Sequence, residues 1–171
     1  MKVFSRFCLF IMAAVLLLSC SDEEDEKVKE GDILPEFSVT LSDGTQISKS
    51  DFAGCVSLIV FFKTSCPDCR EELPVIQQIS STYSEYENFR LVCIGVSENE
   101  NTVKGYWKEN GFDLLYAVPG DNSLVELFGF TTVPHLYLSD ESCIVRHIYG
   151  DYPVASYETL SEAINPMLGI Q

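Results

Sequence analysis

The chain has 171 residues and seven cysteines, with 26 Asp and Glu against 11 Lys and Arg for a formal net charge of −15. That length accommodates one globular domain and an appendage, and so acidic a balance argues against nucleic acid as a partner, because like charges repel.

The first element in the chain does not belong to a fold. Lys2 and Arg6 form a short basic region, and Phe7 to Leu18 is an unbroken apolar run of twelve residues. Such a run is too short to span a bilayer as a helix but has the length of a signal-peptide core, so residues 1–19 are expected to be removed. The next residues, "LLSC" from Leu17 to Cys20, resemble the bacterial lipobox, which implies cleavage before Cys20 and a lipid anchor on that residue. An ordinary signal peptide is the alternative. The stretch "SDEEDEKVKE" carries six acids against two lysines and cannot build a core, so it reads as a solvated tether. The expected organisation is a signal peptide at 1–19, a lipidated cysteine and acidic tether at 20–30, and one folded domain at 31–171. Acids directly after the anchor also resemble the signal that sends some lipoproteins to the outer-membrane surface. The expected location is therefore the bacterial cell envelope, lipid-anchored, in the periplasm or at that surface.

From about Gly31 onward the composition is globular, with no low-complexity tract and no internal repeat. "FSVTLSDGTQIS" holds two short alternating runs joined by Ser42-Asp43-Gly44, which predicts a hairpin. Cys55 to Phe62 is nearly all apolar, as expected of a strand covered on both faces. Leu73, Ile76, Ile79, Tyr83 and Tyr86 recur at spacings of three and four and predict an amphipathic helix. "RLVCIGVS" reads as a second buried strand, Thr102 to Asn110 as a polar helix, "DLLYAV" as a short strand and Ser123 to Phe128 as a helical turn. "VPHLYLSD" and "CIVRHIYG" read as two strands around a tight connection at Asp140 to Ser142, and Tyr157, Leu160 and Ile164 mark a terminal helix. Strands alternating with helices predict an α/β sandwich with a mixed central sheet.

The chemistry concentrates in "FFKTSCPDCREELP", residues 61–74. Pro67 suits the first position of a helix, where its missing N–H is no loss, and that makes Cys66 the expected N-cap. The Cys66 sulfur then faces unpaired backbone N–H groups and the positive end of the helix dipole, the surroundings of a nucleophile. Cys69 lies one turn deeper on the same side, close enough to form a disulfide with Cys66. Cys66 can attack a substrate disulfide and Cys69 can resolve the mixed disulfide that results.

An apolar strand, CxxC, a helix with Pro74 five positions after the second cysteine, and a distant Val133-Pro134 leading into a strand together resemble thioredoxin. The N-terminal hairpin and "CREELP" resemble more specifically the membrane-anchored TlpA/ResA-type thioredoxins, and the resemblance covers most of the chain from about Asp32. It implies a thioredoxin-like three-layer sandwich with helices on both faces of a mixed sheet and an N-terminal β-hairpin. It also implies a thiol-disulfide oxidoreductase that needs no cofactor or metal, takes protein or small disulfide substrates, and draws on a membrane-bound thiol electron donor. A monomer is expected. In that family the proline equivalent to Pro134 is cis and lies against the CxxC, and the residue before it pairs with a bound substrate strand, which makes Val133 and Pro134 substrate-binding candidates. Glu72 stands where the family carries an active-site glutamate and is a candidate proton acceptor for Cys69; the alternative is an acid that merely favours the start of a helix. Val60 occupies the position where ordinary thioredoxin keeps a buried aspartate, so an internal base would have to be Glu72.

Two departures from the family fall beside the nucleophile. Ser65 replaces the usual tryptophan before Cys66, which puts substrate preference in doubt. Asp68, next to Pro67 inside the motif, opposes a thiolate by like-charge repulsion and points toward a reductase. Ser65, Pro67 and Asp68 are accordingly candidate substrate-binding positions. Among the other cysteines, Cys93 reads as a core hydrophobe, and a Cys55 to Cys143 disulfide is left open. A zinc site would need a second cluster, and single cysteines with His135 and His147 do not supply one. His135 is expected to be a half-buried structural histidine, and Trp107 a packing residue. Two other readings of the chain remain: a peroxiredoxin-related peroxide reductase, although Lys63 stands where that mechanism places threonine, and a partner-binding lipoprotein with a structural Cys66 to Cys69 disulfide.

Overall fold

The computed structural model describes residues 27–170. The expected signal peptide, Cys8, the expected lipidation site Cys20 and most of the acidic tether lie outside them. Within the described residues a five-stranded mixed sheet is organised around β3 (Val56–Phe62), every residue of which is buried. β3 pairs in parallel with β4 (Phe89–Gly95), which pairs in parallel with the two-residue β5 (Tyr116–Ala117). On its other side β3 pairs antiparallel with β6 (His135–Ser139), and β6 pairs antiparallel with β7 (Val145–Tyr149), giving the order β5-β4-β3-β6-β7.

Alternation along β3 divides the core in two. Val56, Leu58, Val60 and Phe62 face one cluster with Leu73, Ile76 and Ile79 of α1 (Pro67–Tyr83), Val103 and Trp107 of α2 (Glu100–Asn110), and Leu160 and Ile164 of α4 (Tyr157–Met167). Ile59 and Phe61 face the other, where Leu124 and Phe128 of α3 (Ser123–Phe128) meet Val39 from β1 (Ser38–Thr40) and Phe52 from a short 3-10 turn at Lys49–Phe52. A strand covered on both faces has no polar side to show, which is why its sequence is a continuous apolar run. The predicted hairpin is present: β1 pairs antiparallel with β2 (Gln46–Ser48), and its turn places Gly44 at φ +88° with Asp43 Oδ1 accepting from Thr45 N at 2.9 Å.

Two boundaries differ from the reading of the sequence. α1 ends at Tyr83, and Tyr86, counted in its apolar stripe, lies in the following turn with its ring centroid 5.9 Å from that of Tyr83. The stripe continues because the two rings pack, not because the helix does. The tether was expected to run to residue 30, yet Val28 is buried in the core and its N–H donates to Phe128 O at 3.0 Å, while Lys27 Nζ donates to Glu126 O at 2.7 Å. A further backbone bond joins Gly31 N to Val145 O at 2.8 Å. Residues 27–30 therefore lie on the fold, which the acids around them concealed. Among the described residues no helix is long and apolar enough to cross a membrane.

Candidate active site

The site forms where β3 gives way to α1. Cys66 has an extended backbone (φ −80°, ψ 124°) and caps α1, with Pro67 in the first turn, as the spacing predicts. Its sulfur accepts from the Cys69 amide at 3.4 Å and, as a thiol, donates to the Val133 carbonyl at 3.3 Å. The Val133-Pro134 peptide is cis. Residues 67 positions apart in the chain thus meet because β6 lies beside β3 and begins at the end of the sheet where the CxxC motif opens α1.

The two sulfurs have different surroundings. Cys66 is partly exposed, whereas Cys69 is fully buried and its sulfur accepts from the Lys63 amide at 3.5 Å. Burial pushes the Cys69 thiol well up, with the neighbouring Cys66 and Glu72 adding to the rise and the Lys63 amide opposing it. Both cysteines carry free thiols in this structure. An exposed sulfur at a helix N-terminus can meet an outside disulfide, and a buried one held against ionisation can act only once a base takes its proton.

Glu72 lies three residues after Cys69, hence on the same face of α1, and is only 1% exposed. Its Oε1 accepts from the Ala155 amide at 3.1 Å, the bond opposing a burial that pushes the carboxyl up to about 8. An acid that merely favoured a helix start would sit in water, as the neighbouring exposed Glu71 does. Glu72 instead stands beneath the pair, near enough to Cys69 and Cys93 for its charge to raise both thiols. Val60 pairs with Cys93 on β4 and Leu136 on β6 and brings no carboxyl of its own.

Ser65, Pro67 and Asp68 are all exposed around Cys66, so the rim they form is polar and open. The charge of Asp68 reaches Cys66 through solvent, which screens it. A shallow groove runs from Lys63 and Val133 to Val125 and Glu126 of α3, with Ser97 and Asn122 joined across it by a 2.7 Å hydrogen bond.

The remaining candidates lie away from this chemistry. His135 is fully buried rather than half-buried, stacked on Phe130 at 4.9 Å between centroids, and burial pushes its imidazole down to about 4. Packed rings on its own face of β6 explain the difference. Trp107 is buried with Nε1 donating to Leu114 O at 2.9 Å. Cys55 and Cys143 are buried free thiols, so the disulfide left open between them is not formed in this structure. Among the described residues no group of three or more His, Cys, Asp or Glu side chains converges as a metal set would.

Sequence reasoning missed two backbone groups: the Lys63 amide at the Cys69 sulfur and the Ala155 amide at Glu72. The first had a signal, since residues just before a helix N-cap run past its first turn. The second had none, because Ala155 is 83 residues from Glu72.

The Redoxin family model matches residues 29–160. A thiol-disulfide oxidoreductase ResA of Bacillus thuringiensis subsp. konkukian is 24% identical over 144 residues, covering 84% of this chain and 83% of that protein. Among solved structures, a candidate protein disulfide isomerase from Bacteroides thetaiotaomicron superposes with a TM-score of 0.78 at 24% identity, covering 84% of this chain and 92% of the other. A thiol:disulfide interchange protein of the thioredoxin family from Chlorobium tepidum superposes with a TM-score of 0.71 at 26% identity, covering 82% and 99%.

Proposed function

The chain belongs to the Redoxin family, and from that premise we propose that it is a thiol-disulfide oxidoreductase, acting outside the cytoplasm as a reductase of protein disulfides. The observation that carries the reading is the asymmetry of the pair: a partly exposed Cys66 at the cap of α1, against Val133, and a fully buried Cys69 above a buried Glu72.

In the proposed cycle the Cys66 thiolate attacks one sulfur of a substrate disulfide, the substrate S–S bond breaks, and the departing sulfur leaves as a thiolate that takes a proton. Cys69 gives its proton to Glu72 and attacks the Cys66 sulfur. The mixed disulfide breaks, the second substrate sulfur departs as a thiolate that takes a proton, Glu72 releases the proton it received, and the protein is left with a Cys66 to Cys69 disulfide. Two electrons pass from the pair to the substrate, and a membrane-bound thiol donor returns them. Val133 and Pro134 receive the substrate chain, while Ser65, Pro67 and Asp68 form the rim it meets. Removal of residues 1–19 and a lipid on Cys20 would hold the domain, as a monomer, at the envelope.

Trapping tests the cycle. A Cys69→Ser variant should accumulate mixed disulfides through Cys66, resolved by dithiothreitol and absent from a Cys66→Ser, Cys69→Ser double variant. A Cys69→Ser protein that captures no more than the double variant would sink the proposal. For the anchor, Cys20→Ala should release the protein from membranes, and continued membrane association would count against lipidation.

A further inference from the structure

Between the end of β3 and the cap of α1 the chain must turn within Lys63, Thr64 and Ser65, and this turn carries the Lys63 amide that meets the Cys69 sulfur. Thr64 is 5% exposed although it lies in a loop beside the surface. It is gripped from two sides. Oε1 of Glu98 accepts both the Thr64 amide at 2.5 Å and the Thr64 hydroxyl at 2.9 Å. From the opposite side Arg70 Nε donates to the Thr64 carbonyl at 2.6 Å, with its guanidinium 5.7 Å from the Tyr106 ring centroid. The loop that bears Glu98 is itself fixed, because Val96 N donates to Phe62 O at 2.9 Å. Every hydrogen-bonding group of Thr64 is therefore satisfied by a residue outside the turn, as a buried polar residue requires.

We infer that Glu98 is a positioning residue for the redox pair: by holding Thr64 it holds the adjoining Lys63 amide against Cys69 Sγ. The inference rests on the proposed dithiol chemistry but names a residue that no spacing within the CxxC motif reaches. An N–H directed at sulfur is a stronger partner for a thiol or thiolate than for a disulfide sulfur, which has less charge to offer. The clamp therefore favours the reduced pair. Releasing it lets the turn relax, the Lys63 amide withdraws, and the pair becomes harder to reduce. The role needs an acceptor oxygen rather than a charge, since both groups that Glu98 engages are donors from Thr64.

The test is the equilibrium constant of the Cys66 to Cys69 pair against a dithiothreitol redox buffer, measured on the whole protein without substrate. Glu98→Ala should shift the equilibrium about threefold to tenfold toward the disulfide, the range of one hydrogen bond, or roughly 15–30 mV for this two-electron couple. Glu98→Gln keeps an acceptor oxygen and should stay within about twofold of the parent. Amide hydrogen exchange at Thr64 should accelerate in Glu98→Ala and not in Glu98→Gln. If Glu98→Ala fails to fold, Thr64→Val, which removes only the hydroxyl bond, should give a smaller shift in the same direction. An unmoved potential in folded Glu98→Ala, or in Thr64→Val where that variant stands in for it, would overturn the inference, as would equal shifts in the Gln and Ala variants. A parent pair that does not equilibrate with the buffer at all would defeat the dithiol reading, and the inference would fall with it.

Discussion

Glu72 is the residue whose environment makes the sharpest demands. Its carboxyl, raised by burial to about 8, binds a proton in the folded protein over a pH range in which the unfolded chain, titrating near 4.5, has released it. The native state then binds more protons than the unfolded one between about pH 4.5 and 8, so this group's contribution to stability falls as pH rises through that window. Glu72→Gln keeps an oxygen for the Ala155 amide and removes the ionisation. Its stability relative to the parent should therefore grow from near equality at pH 4.5 to an advantage of about 2–4 kcal/mol at pH 9, read from urea unfolding. An advantage independent of pH would show that Glu72 does not titrate as described. The same variant should resolve mixed disulfides roughly a hundredfold more slowly, the usual effect of losing a positioned base, and should lose the rise of that rate through pH 8. Stopped-flow measurement of resolution across pH 6–9 separates this from a fold defect, because the variant is more stable and yet slower.

At the scale of elements, α1 carries the site on its first turn and is anchored by its apolar face. Leu73, Ile76 and Ile79 are at most 1% exposed between β3 and α4, and the far end is tied by Tyr83 Oη donating to Asn165 Oδ1 at 2.7 Å. Ile76→Ala should cost about 2–5 kcal/mol in denaturant unfolding, as core truncations of this size do. A value under about 1 kcal/mol would mean that the helix is held by something other than this face. How much could be read in advance divides along the same line. α1 and its cap were legible because the stripe, Pro67 and the CxxC spacing are local patterns. β3 was legible because a strand covered on both faces is apolar throughout. Val133 and Pro134 reached the site only through resemblance, since nothing in a lone "VP" says which strand it will adjoin. The Glu72 to Ala155 bond and the grip of Glu98 on Thr64 depend on how α4 and the loop after β4 settle against α1. Those are properties of packing that no periodicity records. Tyr86 misled for the converse reason, being a ring in phase with a helix that had already ended.

For the whole molecule, the point at which the N-terminal segment joins the fold matters. Lys27 and Val28 lie over the end of α3, and Gly129 permits the approach: its φ is +78°, and a Cβ there would stand 2.5 Å from Lys27 N. Gly129→Ala should therefore lower stability by about 1–3 kcal/mol, from left-handed backbone strain with the displaced segment added. Denaturant unfolding would show it, and a neutral result would mean that the segment is not held there. Glu126, whose carbonyl receives Lys27, also lines the groove leading to Val133, so the N-terminal segment meets the fold beside that groove. In the proposed cycle the partly exposed sulfur of Cys66 performs the chemistry. The most direct test is the rate at which dithiothreitol reduces a protein disulfide in the presence of the purified protein or of Cys66→Ser. The parent should accelerate the reduction and the variant should leave the uncatalysed rate unchanged; equal rates for the two proteins would show that Cys66 is not the nucleophile.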